Sequence, residues 1–337
     1  MANMTTAYMG LELKNPLIVG ACNLTLEPDL LKRMEDAGAA AIVFKSLFEE
    51  QINLESIQME EELHEYEERH AEMISLFPNI RHAGPEEHLE LLSRASSSLD
   101  IPVIGSLNCV NSDTWANYAA EMEKTGIDAL ELNFYASPDS FDKSSQNLEK
   151  EQLQILKNVK QSIKIPISVK LSFFYTNPLA LIRQMDEAGV AGFVLFNRLF
   201  QPDIDLRKQD HQFPFNLSHP NDYRLPLRYA GMLYNEIKGS ICSNTGIFTG
   251  EDMVKMILAG ADCVQVVSTL YKNKIPHIGK MLDEFSGWME DTGYGSVAEF
   301  RGKLSKDNVK DPYAYRRAQY VDLLMKPFEL LKKYPQV

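Results

Sequence analysis

Four times along this chain an amphipathic helical stretch closes on a glycine and runs straight into an apolar segment: MEDAGAAAIVF, MEKTGIDALEL, MDEAGVAGFVL and MILAGADCVQV. Glycine just past the last helical turn accepts a left-handed backbone and ends the helix. Four junctions of one build predict repeated βα units. Candidate strands lie at 15–23, 41–47, 102–108, 129–135, 166–172, 192–199, 240–246 and 263–271. Helical patterns lie between and after them, at 27–37, 85–99, 112–125, 149–163, 177–188, 225–238, 250–259 and 275–291. Each strand is a mostly continuous apolar run, as expected of parallel strands buried on both faces. Eight such units predict an α/β fold of the (β/α)8 TIM-barrel class. An open doubly wound sheet is the alternative, but it would usually carry a G-x-G-x-x-G turn after its first strand, and none is present.

Three segments exceed a minimal barrel: a Glu-rich insertion at 48–84, a long loop at 200–224 and a polar tail at 296–337. Insertions after barrel strands are where active sites and lids are built. The expectation is one domain over 1–337, elaborated at one mouth. A net charge of −13 without any Lys/Arg run argues against a nucleic-acid partner. No stretch approaches the roughly 20 apolar residues of a membrane span, and the first residues lack a charged-then-apolar signal pattern. The cysteines Cys22, Cys109, Cys242 and Cys263 are scattered, with no C-x-x-C pair. That argues against zinc or an iron–sulfur cluster and fits reduced thiols in the cytoplasm.

Polar residues at the C-terminal ends of barrel strands face the site, whereas strand interiors pack the core. Those ends carry Cys22 and Asn23, Lys45 and Ser46, Asn108, Asn133, Lys170, Asn197, Asn244 to Gly246, and Ser268 with Thr269. Buried Lys and Asn are costly unless paired. Asn offers donors and an acceptor and so suits a ring edge with alternating C=O and N–H groups. Lysine supplies a point charge for a developing anion. The last two strand ends, with Gly246 and small hydroxylated residues at a helix start, suit a phosphate. The set points to a phosphorylated, nitrogen-rich cofactor.

The order NPLIVGA, KSL, SLN, ELNF, VKLS, FNR and SNTGIFTGEDMVKMILAGADCVQVVSTLY resembles the dihydroorotate dehydrogenase family of FMN-binding barrels over nearly the whole chain. The chain looks like a divergent member, closest to the soluble class. The resemblance implies FMN as cofactor and oxidation of a CH–CH group, dihydroorotate to orotate in pyrimidine biosynthesis. In that chemistry a base removes a proton from a saturated ring carbon and flavin N5 takes the adjacent hydride. It implies that Gly20, Ala21 and Cys22 approach the flavin with backbone, and that Lys45 and Ser46 contact the ring and its side chain. Asn108 and Asn133 would bind flavin or substrate, and Lys170 would stabilise the anionic reduced ring. Asn197 and Asn79 would contact substrate, while Thr245, Gly246, Val267 and Ser268 would hold the phosphate, largely through backbone N–H groups. No metal is implied. A homodimer is the family expectation. The chain leads almost directly into its first strand, which disfavours quinone as acceptor and leaves fumarate or an NAD-linked electron-transfer partner.

The loop after the fourth strand departs from the family. There the family reads Asn-x-Ser-Cys-Pro-Asn, or Ser-Pro in place of Cys-Pro, the Cys or Ser being the base. Here Asn133-Phe134-Tyr135-Ala136-Ser137-Pro138-Asp139 puts alanine on the base position unless one residue is inserted, which restores Ser137-Pro138. That alignment makes Ser137 the candidate base, with a turn residue as its plain reading. Asp139 replaces a neutral Asn near a substrate carboxylate, which calls for a cation such as Arg81 or Arg198. The family's Asn-x-Met-Gly loop is also altered, to FPNIRHAGPEEH at 77–88, where Asn79 alone survives. Cys109 is an alternative base; His64, His70, His211 and His219 read as surface residues. Other readings stay open: a related dihydropyrimidine-like substrate, a non-catalytic flavoprotein, or a Schiff-base aldolase using Lys170.

Overall fold

The computed structural model describes residues 2–49, 85–108, 112–134, 141–198, 202–212, 217–310, 315, 321, 325 and 332–333. A hairpin of β1 (Thr6–Tyr8) and β2 (Leu11–Leu13) comes first. Its turn, Met9–Gly10, has positive φ at both residues (55° and 83°), the twist that suits a two-residue hairpin. The chain then enters a ring of parallel strands: β3 (Leu17–Val19), β4 (Ala41–Val43) and, after the short β5 (Leu47–Phe48), β6 (Val103–Asn108). The ring continues through β7 (Ala129–Phe134), β8 (Ile167–Leu171) and β9 (Gly192–Leu195). An exposed hairpin, β10 (Asp203–Asp205) with β11 (Asp210–Gln212), follows before β12 (Ser240–Asn244) and β13 (Cys263–Val266). β13 pairs with β3 and β4 with β6, so the eight strands β3, β4, β6–β9, β12 and β13 close into a (β/α)8 barrel.

The repeated glycines do what their position predicts. Gly38, Gly126, Gly189 and Gly260 have φ of 107°, 86°, 87° and 133°, each ending a helix before a barrel strand. Three of these junctions carry a second bond typical of such ends: Ala39, Val190 and Ala261 donate to the carbonyls of Met34, Met185 and Met256. The acidic residue after the methionine has a job of its own. Glu35 accepts the backbone N–H groups of Asp100 and Ile101, Glu123 those of Lys164 and Ile165, and Asp186 those of Lys238 and Gly239. Each carboxylate thus ties one unit to the chain entering a strand further round the ring, β6, β8 or β12. Such bonds to an ionised acceptor are worth about 1.5–3 kcal/mol. Glu123→Ala is therefore expected to lower the unfolding free energy by about that amount, read from the midpoint of urea unfolding at unchanged slope.

Side chains alternate along the strands. Leu17, Val103, Leu107, Leu130, Leu132, Val169, Leu171, Phe193 and Leu195 belong to the core shared with the helices. Ile18, Val43, Ile104, Ala129, Val194, Cys242 and Cys263 face inward. Tyr8 of the floor hairpin packs with this inner set and is 1% exposed. A Cβ on Gly192 would lie 2.9 Å from the Tyr8 ring, so glycine there admits the tyrosine.

Two expectations are corrected. The strand read over 263–271 stops at Val266, because its partner β3 ends at Val19; Ser268–Asn273 is a helix instead. The loop at 200–224 contains the β10–β11 hairpin, whose residues are nearly all exposed and polar and so lack an apolar period. In the described start of the polar tail, Gly302, Leu304 and Lys306 donate to the carbonyls of Ile257, Leu258 and Gly231, late in two helices, and Phe300 is fully buried.

Candidate functional site

All eight ring strands point the same way, so their C-terminal ends form one mouth. The inward alternation that supplies the apolar floor becomes polar as the strands rise. β6 presents Ser106 and Asn108, β7 Glu131 and Asn133, β8 Ser168 and Lys170, and β13 Gln265. All seven are buried, Asn108, Asn133 and Lys170 at 6%, 7% and 5% exposure. Asn133 and Lys170 are direct neighbours in the β7–β8 register.

Lys170 is buried by an ion pair: its Nζ lies 3.5 Å from Glu131 Oε1. Glu131 Oε2 accepts from Gln265 Nε2 at 2.7 Å. The Asn197 side chain donates to Asn133 Oδ1 at 2.8 Å, and Asn197 Oδ1 accepts from the Arg198 backbone. Arg198 is in turn bound to Asp222 at 2.6 Å. Ser46 and Ser106 share a hydrogen bond of 2.7 Å.

Next to Asn197 on the rim, past β12, Thr245 and Gly246 both take positive φ, 80° and 75°. For a β-branched residue this is a strained conformation, held by the Thr245 hydroxyl donating to Phe196 O and its N–H donating to Asn244. A Cβ on Gly246 would lie 2.4 Å from Tyr223 N, so the turn needs glycine for space as well as for φ. Ser268 Oγ accepts from Ser218 N, and Lys272 donates to Ser218 O, fastening that loop to the rim. The side chains of Thr245 and Ser268 are thus engaged within the protein. The first N–H groups of the helix Ser268–Asn273 precede any intrahelical acceptor.

Gly20 packs so closely on β13 that a Cβ would meet Val267 Cγ2 at 2.9 Å. Ala21 and Cys22 follow it at the end of β3, half-buried. Burial pushes the Cys22 thiol up, which keeps it protonated and inert at neutral pH. Lys45 is half-buried beyond β4, beside His88. Burial first, and the Lys45 charge second, push His88 down to about 4, with its ring edge-on to Phe44 at 5.3 Å. A histidine held neutral in the fold but ordinary when unfolded gives stability that is complete above about 6.5 and is lost as pH falls toward about 4. His88→Phe is expected to flatten that acid limb, worth on the order of 2–3 kcal/mol, in urea titrations between pH 4 and 6.5.

Of the residues singled out from sequence, Gly20, Ala21, Cys22, Lys45, Ser46, Asn108, Asn133, Lys170, Asn197, Thr245, Gly246, Val267 and Ser268 stand at strand ends on this mouth. Ser137, Asp139, Asn79, Arg81, Cys109, His64 and His70 lie outside the described residues. Among the described residues no group of three or more His, Cys, Asp or Glu could hold a metal ion, and no helix is long and apolar enough to cross a membrane. Sequence reasoning passed over Glu131, Gln265 and Asp222. The signal for the first two was a period-two polar pattern inside otherwise apolar strands: Ser106-x-Asn108, Glu131-x-Asn133, Ser168-x-Lys170 and Cys263-x-Gln265.

The family model described as dihydroorotate dehydrogenase matches residues 54–289. Similar proteins include dihydroorotate dehydrogenase B (NAD(+)), catalytic subunit, of Thermoplasma acidophilum, 25% identical over 90% of this chain and 99% of that protein. The protein of the same description from Methanocaldococcus jannaschii is 26% identical over 86% of this chain and 94% of its own length. Dihydroorotate dehydrogenase A (fumarate) of Lactobacillus helveticus is 24% identical over 61% of this chain and 68% of that protein.

Proposed function

The chain belongs to the dihydroorotate dehydrogenase family, and on that premise we propose that it uses FMN to oxidise dihydroorotate to orotate, a step of pyrimidine biosynthesis. As a member it is an oxidoreductase acting on a CH–CH donor. The observation that carries the cofactor reading is the pair of lysines at the mouth. Among the described residues neither Lys45 nor Lys170 makes a side-chain hydrogen bond, and Lys170 is 5% exposed. Ammonium donors left unspent among these residues, one buried and one half-buried, fit an anionic, carbonyl-rich ring with a phosphate tail.

FMN, when bound, supplies a two-electron acceptor for hydride. Lys170 and Asn108 would hold the ring edge, with Gly20, Ala21 and Cys22 passing close by as backbone. Lys45 and Ser46 would contact the ring and its side chain. Gly246, Val267 and Ser268 would take the phosphate on backbone N–H groups, with Thr245, whose own N–H is held by Asn244, shaping the left-handed turn beside them. Asn133 and Asn197, already bonded to each other, would present their remaining amide groups to the substrate, with Asn79 as a third contact. Ser137 would remove the proton. An NAD-linked electron-transfer partner suits the likeness to the Thermoplasma and Methanocaldococcus proteins, which are NAD(+) catalytic subunits by name, and we infer a homodimer in the cytoplasm.

The test is steady-state formation of orotate from dihydroorotate by FMN-loaded protein, with fumarate, NAD(+) and an artificial dye compared as acceptors. Orotate formed with the dye but not with fumarate supports the partner reading. No orotate with any acceptor would remove dihydroorotate as the substrate.

A further inference from the structure

Beneath the lysine the barrel holds a carboxylate that the proposed chemistry does not use. Lys170 and Glu131 side chains are 7% and 1% exposed, so neither charge would be tolerated there alone. Their contact is nevertheless loose. Among the described residues Glu131 Oε1 has no hydrogen-bond partner and sits 3.5 Å from Nζ, whereas Oε2 is held at 2.7 Å by Gln265. That amide comes from β13, across the barrel from β7 and 134 positions along the chain. The carboxylate is thus aimed by glutamine rather than by lysine. The lysine is balanced by charge and not captured by a hydrogen bond, which leaves its ammonium donors free to turn toward the mouth. Gln265 Oε1 is buried with no hydrogen-bond partner among the described residues, so the amide's one side-chain bond is the one to Glu131.

We propose that Glu131, oriented by Gln265, is the positioning residue for Lys170 and sets how much positive charge the lysine presents to the ring edge of the cofactor. The inference rests on the FMN reading above. A fixed negative charge under the ammonium opposes its pull on a reduced, anionic ring. Glu131→Gln keeps the shape and removes the charge, so the reduced cofactor gains over the oxidised one. Gln265→Met does the reverse. It frees Oε2, lets the carboxylate turn and bond Nζ directly, and draws the ammonium down from the mouth.

The experiment is an anaerobic redox titration of bound FMN against a reference dye in the wild type and both variants. Glu131→Gln is expected to favour reduced over oxidised cofactor about tenfold, an upward shift of about 30 mV for a two-electron couple. Gln265→Met is expected to shift the midpoint downward. A merely structural role would move both variants in one direction or neither, through general loosening of the site. Unshifted potentials, or shifts of the same sign, overturn the inference while leaving the cofactor reading intact. If Glu131→Gln does not fold, the sign of the Gln265→Met shift decides alone. A wild-type chain that takes up no FMN overturns the cofactor reading and this inference with it.

Discussion

Lys170→Met is expected to lower the rate of flavin reduction by dihydroorotate about 10²–10³-fold, the loss typical of removing one preorganised charge from a site where charge develops. Methionine keeps the length and apolar stem of lysine and removes only the ammonium. The same change should also destabilise the fold, because Glu131 would be left as an unpaired buried carboxylate, at a cost of about 3–5 kcal/mol. The two effects separate in the double variant. Lys170→Met with Glu131→Gln removes both charges, so stability should largely return while the reduction rate stays low. Anaerobic stopped-flow reduction and urea unfolding of the three proteins read these outcomes independently. A single variant that is unstable but still reduced at near wild-type rate would make Lys170 a core residue without a part in the chemistry.

Ser137→Ala is expected to slow reduction by about 10²–10⁴-fold, the range for loss of a positioned general base. FMN uptake and orotate binding should be unchanged, since the role proposed for the hydroxyl is proton removal and not binding. Ser137→Cys should retain measurable turnover, because a thiolate can accept the same proton and the family uses either residue at the base position. The single-residue insertion that aligns Ser137 with the base is what this experiment examines. Wild-type kinetics in Ser137→Ala would move the base elsewhere, with Cys109 next in line.

The barrel was legible because its signals are local. A glycine at a helix end, as at Gly38 or Gly260, acts on its own turn and needs no distant partner. The continuous apolar strands and the order of Lys45, Asn108, Asn133, Lys170 and Asn197 were readable for the same reason. What could not be read depends on closure of the ring. Glu35, Glu123 and Asp186 look like ordinary helix-surface acids, yet they cap backbone groups up to 66 positions away. Glu131 lies inside the ELNF motif itself, but its partner Gln265 meets it only across the finished barrel. The Asn133–Asn197 bond likewise joins strand ends that are 64 positions apart. The strand read over 263–271 failed beyond Val266 because β-branched composition says nothing of where a neighbouring strand stops.

The most direct test of the account is the absorption spectrum of the FMN-loaded protein before and after anaerobic addition of dihydroorotate. Bleaching of the visible flavin band on addition, with orotate formed in equal amount, is the predicted result. A band that persists would contradict dihydroorotate as the electron donor and point to a related ring or to a flavoprotein without turnover. A protein that remains colourless after incubation with FMN would contradict the cofactor assignment itself and return Lys170 to the Schiff-base reading.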